Sequence, residues 1–266
     1  MIIIGEKING FIPKTLEAIK AHDEKYIKEL ATKQAAGRAS YIDVCAGVEP
    51  AIEHETMEWL IDLVQGTVDT PLCIDSSDPQ VIVDMIPRAN KEGLINSISL
   101  ESGKCEIVLP AIAGTNWKVV ALTCDDNGIP EDPQVKFEIA KKIVALADQN
   151  GIPHDNLLID PLVTTLATKG DSLVGFNQAV RLIKAAFPDV HITSGLSNIS
   201  FGMPYRKALN TQFLALAMAA GMDSAIMDPM SADMQATMHA VDALLGNDEY
   251  CMNYLEAFRE GLFGQN

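Results

Sequence analysis

Positive charge is scarce in this 266-residue sequence: 20 lysines and arginines stand against 36 aspartates and glutamates, a formal net charge of −16 at pH 7. Nucleic acid, anionic membrane surfaces and polyphosphate ligands would each meet net repulsion unless a cationic cluster overrode it, and none stands out along the chain. Histidine is also sparse, with five (His22, His54, His154, His191 and His239), none of which follows a strand-like run. GxSxG, HExxH, CxxC and EF-hand patterns are missing, so neither nucleophilic catalysis nor a motif-borne metal site has support. The five cysteines (Cys45, Cys73, Cys105, Cys124 and Cys251) are odd in number and widely spaced. They suit reduced core thiols in a cytoplasmic protein better than disulfides or zinc ligands. Long hydrophobic runs are absent too. MIIIGEKING has three consecutive isoleucines but no basic leader or cleavage site, and no stretch approaches the length of a membrane span, so a soluble protein is expected.

The composition is 48% hydrophobic, enough for a large core. Short β-branched runs alternate with longer helical patterns from end to end, without linker or low-complexity sequence. The runs are Ile2–Ile4, Tyr41–Val44, Leu72–Ile74, Leu94–Ile98, Val119–Leu122, Leu157–Ile159, Ile192–Leu196 and Ala225–Met227. Each is nearly all apolar, as strands covered on both faces require. Helical spacing marks 57–68, 135–149, 173–187 and 207–221, with Asp132-Pro133 as a start signal and Gly151, Pro188 and Gly221 as stops. Eight such units in one chain is the arithmetic of an α/β protein with a single-domain TIM (βα)8 barrel over 1–266, ahead of an open doubly wound sheet. The tail, Tyr250–Phe263, predicts one more helix, packed on the barrel or against another subunit.

In such a barrel the C-terminal strand ends carry the chemistry. Here the runs lead into Glu6, Asp43, Asp75 with Ser76, Asn96 with Ser97, Asp125, Asp160, Ser197 with Asn198, and Asp228. Any one of these is explained by helix capping or rim solvation; eight together describe an acidic, amide-rich mouth. Pro79 and Pro161 leave no room for a helix to start at Asp75 or Asp160, which sets those two apart. Carboxylates accept pairs of parallel N–H bonds, so the mouth should take a neutral, planar ligand rich in donors, such as a pterin edge, with guanine and arginine-like ligands fitting the same logic. The competing use of the same residues is a site for an oxygen-liganded metal.

Taken in order, GEKING, IDVCAG, CIDSS, INSIS, LLIDPL and GLSNISFG resemble the methyltetrahydrofolate:corrinoid protein methyltransferases over essentially the whole chain. That resemblance implies a pterin-binding TIM barrel, usually a homodimer, with tetrahydrofolate or 5-methyltetrahydrofolate as substrate, a corrinoid carried by a partner protein, and no metal of its own. The methyl group passes in either direction between N5 of the folate and cobalt, within acetyl-CoA formation or anaerobic demethylation of methoxyaromatic, methylamine or betaine donors. Carried over residue by residue, Asp75, Asn96 and Asp160 match the pterin-binding positions, and Gly195, Ser197 and Asn198 the seventh-strand motif. Arg206 matches an arginine near the folate. Glu6 and Asp43 match polar positions at the barrel mouth. Phe201 stands where one branch of the family has glutamine and methionine synthase modules have an aromatic residue, which bears on the corrinoid partner.

The resemblance makes Asn198 the catalytic residue: its amide carbonyl would stabilise a protonated N5, and the chemistry proceeds between two substrates without a protein nucleophile. Three alternatives remain. Dihydropteroate synthase shares the barrel but must clamp pyrophosphate with basic residues that the late strand ends lack, Arg206 excepted. A metal-dependent barrel lyase or hydrolase would use the acidic mouth, and a pterin-binding protein without turnover would bind the folate and never release its methyl group.

Overall fold

The computed structural model describes residues 1–264. Each of the eight apolar runs contributes to a strand, the seventh only at its first residue: β1 (Ile2–Asn9), β2 (Tyr41–Cys45), β3 (Leu72–Asp75), β4 (Leu94–Leu100), β5 (Lys118–Asp125), β6 (Leu157–Asp160), β7 (His191–Ile192) and β8 (Ser224–Met227). They form one parallel sheet in the order β7-β6-β5-β4-β3-β2-β1-β8. The ends of that sheet meet: Ile226 N donates to Ser194 O at 2.9 Å, Asp223 N donates to Ile192 O at 3.2 Å, and Gly195 bridges Ile226 in the parallel sense. This is the TIM barrel that the eight runs imply.

The helices lie outside it: α1 (Pro13–Lys20), α2 (Glu24–Ala36), α3 (Pro50–Gln65), α4 (Pro79–Met85), α5 (Lys104–Ile112), α6 (Pro133–Gln149), α7 (Ser172–Ala186), α8 (Arg206–Ala220), α9 (Ala232–Leu244) and α10 (Met252–Arg259). Local sequence explains their starts. Asp132 accepts from Gln134 N at 2.8 Å beside Pro133 to open α6, and Asp78 with Pro79 does the same for α4. Ile139, Ile143 and Ala147 form the stripe that buries α6, so its position follows from helical periodicity. No helix among the described residues is long and apolar enough to cross a membrane.

Two expectations are corrected. The run Ile192–Leu196 is not a continuous strand: pairing with β6 stops at Ile192, and Leu196–Ser200 is a 3₁₀ turn. Thr193–Gly195 is engaged in closing the barrel, where buried Thr193 accepts from Ser224 Oγ at 3.1 Å. The tail is not one helix from Tyr250 to Phe263 either. Tyr250 and Cys251 have φ near +53° and +54°, and α10 begins only at Met252. Asp248 sets that start, accepting from Asn253 N and Tyr254 N at 2.9 Å each.

The core has two parts. The larger fills the space between strands and helices, while Ile4, Cys73, Leu94, Val120 and Leu158 plug the barrel interior. The plug floors the C-terminal mouth, because inward-facing positions recur every second residue. One step further along each strand come the polar inward positions: Glu6 after Ile4, Asp75 after Cys73, Asn96 after Leu94 and Asp160 after Leu158.

Candidate functional site

The strand register determines which of these polar residues meet. Cys45 of β2 pairs with Asp75 of β3, and Asp75 pairs with Asn96 of β4, so the three sit side by side on one wall. Asp43, two residues below Cys45, pairs with Cys73 and is completely buried. Its carboxyl lies beside the Asp75 carboxyl, the Asn96 amide and the thiol of Cys73, its ladder partner. Burial raises Asp43 well above the ordinary carboxylate range, with the Asp75 charge adding to it. Asp75 rises to about 6, again through burial, with hydrogen bonds from Cys45 and Asp43 working in the opposite direction. Ser76 turns outward and donates to Glu53 of α3 at 2.6 Å.

The opposite wall belongs to β6 and the segment after β7. Asp160 is buried, and its Oδ1 accepts from Leu162 N at 2.7 Å. Burial pushes its pKa up to about 6, against the pull of backbone donors from Leu162 and Gly195 and of Lys136. Lys136, itself buried on α6, donates to Leu162 O at 2.6 Å and braces this loop from behind. The Gly195 N–H lies close enough to Asp160 to favour its charged form, and Asn198 folds back over Gly195. A Cβ on Gly195 would lie 2.8 Å from Asn198 Nδ2. The Asn198 side chain is exposed to the mouth and makes no hydrogen bond among the described residues, so its amide is free for a ligand.

A cavity of about 520 Å³ opens beside this, lined by Glu6, Lys7, Ser197, Arg206, Lys207 and Asp228 among others. Neighbouring strand residues normally face opposite ways, yet Glu6 and Lys7 both reach it. The reason is a register shift between Gly5 and Ile8, where three steps on β1 match two on β2. Lys7 pairs with Asp228 at 2.9 Å. Burial is the main reason Glu6 rises to about 7, with Asp228 adding to the rise while Lys7 and Arg206 oppose it. Arg206 donates to Ser197 O at 2.7 Å and to Ser200 Oγ at 3.0 Å, and its guanidinium lies 5.9 Å from the ring centre of exposed Phe201. It holds the 3₁₀ turn in place as well as lining the cavity.

All ten singled-out residues thus stand at one end of the barrel. Asp43, Asp75 and Asn96 share one wall; Asp160, Gly195 and Asn198 share the other; Glu6, Ser197 and Arg206 border the cavity, with Phe201 on its rim. The mouth is less purely acidic than the strand ends suggest, because Lys7, Arg206 and Lys207 all reach the cavity. Lys7, Lys136 and Cys45 were not anticipated as part of the site. Lys136 lies within a helix stripe and Lys7 beside a carboxylate, and neither position advertises the direction of its side chain. Among the described residues, no group of three or more histidine, cysteine, aspartate or glutamate side chains is placed to hold a metal ion.

Known proteins resemble this chain in family and in fold. A family described as pterin binding enzyme matches residues 14–228. The methylcorrinoid:tetrahydrofolate methyltransferase of Eubacterium limosum is 48% identical over 266 residues, covering 99% of this chain and 98% of that protein. Methionine synthase of Mycobacterium tuberculosis is 30% identical over 239 residues, covering 85% of this chain but only 20% of its own length. Among solved structures, dihydropteroate synthase from Xanthomonas albilineans in complex with 7,8-dihydropteroate superposes with a TM-score of 0.66 at 19% identity, covering 92% of each chain. A dihydropteroate synthase from Coxiella burnetii in complex with pteroic acid gives 0.66 at 14% identity, covering 93% of this chain and 94% of that one. At such identities the synthases share the fold alone.

Proposed function

Because this chain belongs to the pterin-binding enzymes, and within them to the family of the methylcorrinoid:tetrahydrofolate methyltransferases, we propose that it transfers a methyl group from a methylated corrinoid protein to N5 of tetrahydrofolate. The observation that carries this reading is the 48% identity running end to end with a protein of that name. The direction follows the same relative; chemically the step is reversible.

In that direction the N5 lone pair attacks the methyl carbon, the cobalt–carbon electron pair stays on cobalt as Co(I), and the proton on N5 leaves. Asp75 and Asn96 on one wall and Asp160 on the other hold the pyrimidine edge of the pterin, whose adjacent N–H donors match carboxylate acceptors. That leaves N5 facing Asn198 and the open mouth. The Asn198 carbonyl accepts from the protonated N5 formed as the new bond develops. A hydrogen bond strengthened only there is worth roughly 1–3 kcal/mol, about tenfold to a hundredfold in rate. Glu6 is the base to which the proton passes: it faces the cavity, and its pKa of about 7 suits a group that must take and then lose a proton near neutrality. Holding the folate in one pose supplies much of the remaining acceleration.

The corrinoid must reach N5 from above, so its carrier docks on the rim. Phe11, Phe201 and Tyr205 are 81%, 69% and 79% exposed on the loops after β1 and β7, beside the cavity. We assign them to the partner contact. The protein works as a single-domain cytoplasmic enzyme and a homodimer; four buried free thiols and the exposed apolar residues Leu255 and Phe258 on α10 favour this.

The test is spectroscopic. Methyl-Co(III) corrinoid protein mixed with tetrahydrofolate and this enzyme should generate the Co(I) absorbance at a rate proportional to enzyme, and Co(I) with 5-methyltetrahydrofolate should reverse it. No change in cobalt absorbance in either direction would refute the assignment.

A further inference from the structure

The buried carboxyl of Asp43 is not explained by any contact with substrate, since it lies one inward step below Asp75. Its environment is unusual. One oxygen, Oδ1, is buried without a hydrogen-bond donor. The neighbours of the carboxyl are another carboxyl (Asp75), an amide (Asn96) and a thiol (Cys73). An ionised Asp43 would leave a buried charge facing a second negative group across the β2–β3 ladder, an arrangement that burial makes costly even after relaxation. A single proton removes the conflict. The un-ionised carboxyl becomes a donor, and the Asp75 carboxylate is the acceptor beside it. The directions agree: the contact with Asp75 favours the proton on Asp43, and the same contact favours the charge on Asp75.

Resting on the folate reading above, we propose that Asp43 is a positioning residue that donates a hydrogen bond to the Asp75 carboxylate and orients it, together with Asn96, toward the donor edge of the pterin. The pair carries one proton and one charge. Losing the last proton would place two anions against each other under the ligand and turn Asp75 away; gaining a second would neutralise Asp75 and remove an acceptor. Folate affinity should therefore peak between two limbs, the alkaline one belonging to Asp43.

The other groups facing Asp43 are accounted for. Cys73 on β3 and Cys45 on its own strand are both held as neutral thiols by burial, with the neighbouring aspartates pushing the same way. Asn96 does not titrate. Glu53 of α3 raises Asp75 from behind, Glu6 and Lys7 of β1 reach the mouth beside it, and Asp160 of β6 faces it from the opposite wall. None of these changes between the proteins compared below.

The experiment measures tetrahydrofolate Kd against pH, from about 5 to 10, for the full chain and for Asp43→Asn and Asp43→Leu. Asparagine keeps a donor and cannot ionise. Asp43→Asn should bind within a few-fold of wild type at pH 7 and lose the alkaline limb, the ligand's own titration being common to both proteins. Leucine keeps bulk without a donor, so Asp43→Leu should lose about tenfold or more in affinity at pH 7, as for a hydrogen bond to a charged group. If Asp43→Asn retains the wild-type alkaline limb, or if folded Asp43→Leu binds as wild type does, the proposal is overturned. Should Asp43→Leu not fold, the Asp43→Asn profile decides alone. A wild-type protein that fails to bind tetrahydrofolate would overturn the folate reading itself, whereas failure of the variant contrast removes only the role of Asp43.

Discussion

The amide of Asn198 occupies the space that a side chain on Gly195 would need, with Nδ2 only 2.8 Å from the position of the missing Cβ. Gly195 has φ −67° and ψ 88°, which alanine tolerates, so the contact and not the backbone demands glycine here. Gly195→Ala should therefore leave the fold intact and displace Asn198. Single-turnover methyl transfer should fall about as far as in Asn198→Ala, roughly tenfold to a hundredfold. Full activity with an unchanged melting temperature would contradict the coupling of these two residues.

Asn198→Ala itself should slow transfer while tetrahydrofolate still binds, if the amide acts on the protonated N5 as proposed. Asp160→Ala should do the reverse and weaken binding first. Measuring Kd separately from the single-turnover rate distinguishes the two. A destabilised Asn198→Ala with a normal rate would mean that the asparagine only shapes the turn.

Glu6 should impose a pH dependence on transfer to tetrahydrofolate. As the receiving base it must be ionised, so the rate rises with pH through about 7 and then levels. Glu6→Gln should flatten this profile and lower its plateau, by a factor of order 10²–10⁴ if the proton has no other route. An unchanged inflection in the variant would assign it elsewhere.

Asp160 is held near 6, above an ordinary 3.8, so the folded state binds its proton more tightly than the unfolded chain does. The resulting stabilisation is full below pH 4 and is lost as pH rises through 6. Without ligand, stability should decline across that window by a few kcal/mol, with Asp75 contributing in the same sense. Asp160→Asn should flatten the denaturation midpoint between pH 4 and 6; an equally steep decline would place the titration on other groups.

The rim aromatics should matter only to the protein-borne corrinoid. Phe201→Glu and Tyr205→Glu should raise KM for the corrinoid protein by about tenfold, as expected for aromatic contacts at an interface, with little effect on tetrahydrofolate affinity or on transfer with free corrinoid. Equal losses with free corrinoid would place these residues in the folate site.

Much of the barrel can be read directly from the chain because its signals are local. The β-branched runs, Asp132-Pro133 and the Ile139, Ile143, Ala147 stripe each act within a few residues, and the structure follows them. The seventh run misleads for an equally physical reason. HITSGL is apolar enough for a strand, but where its pairing stops depends on β8, more than twenty residues away in sequence. The tail misleads because Asp248 caps α10 from outside the helix that periodicity describes.

The eightfold alternation, the polar residues at each strand end and the order of motifs that identifies a pterin-binding family are all local, since each depends on residue types at short spacing. The partnerships between these residues come from the folded barrel. Ladder register placed Asp43 under Asp75 and Asn96, a bulge in β1 turned Lys7 as well as Glu6 to the cavity, and barrel closure carried Asn198 over Gly195 beside Asp160. Register, bulge and closure arise from contacts between distant segments, and these contacts turn a list of acids and amides into a mouth with two walls, a carboxyl at the cavity and an open face.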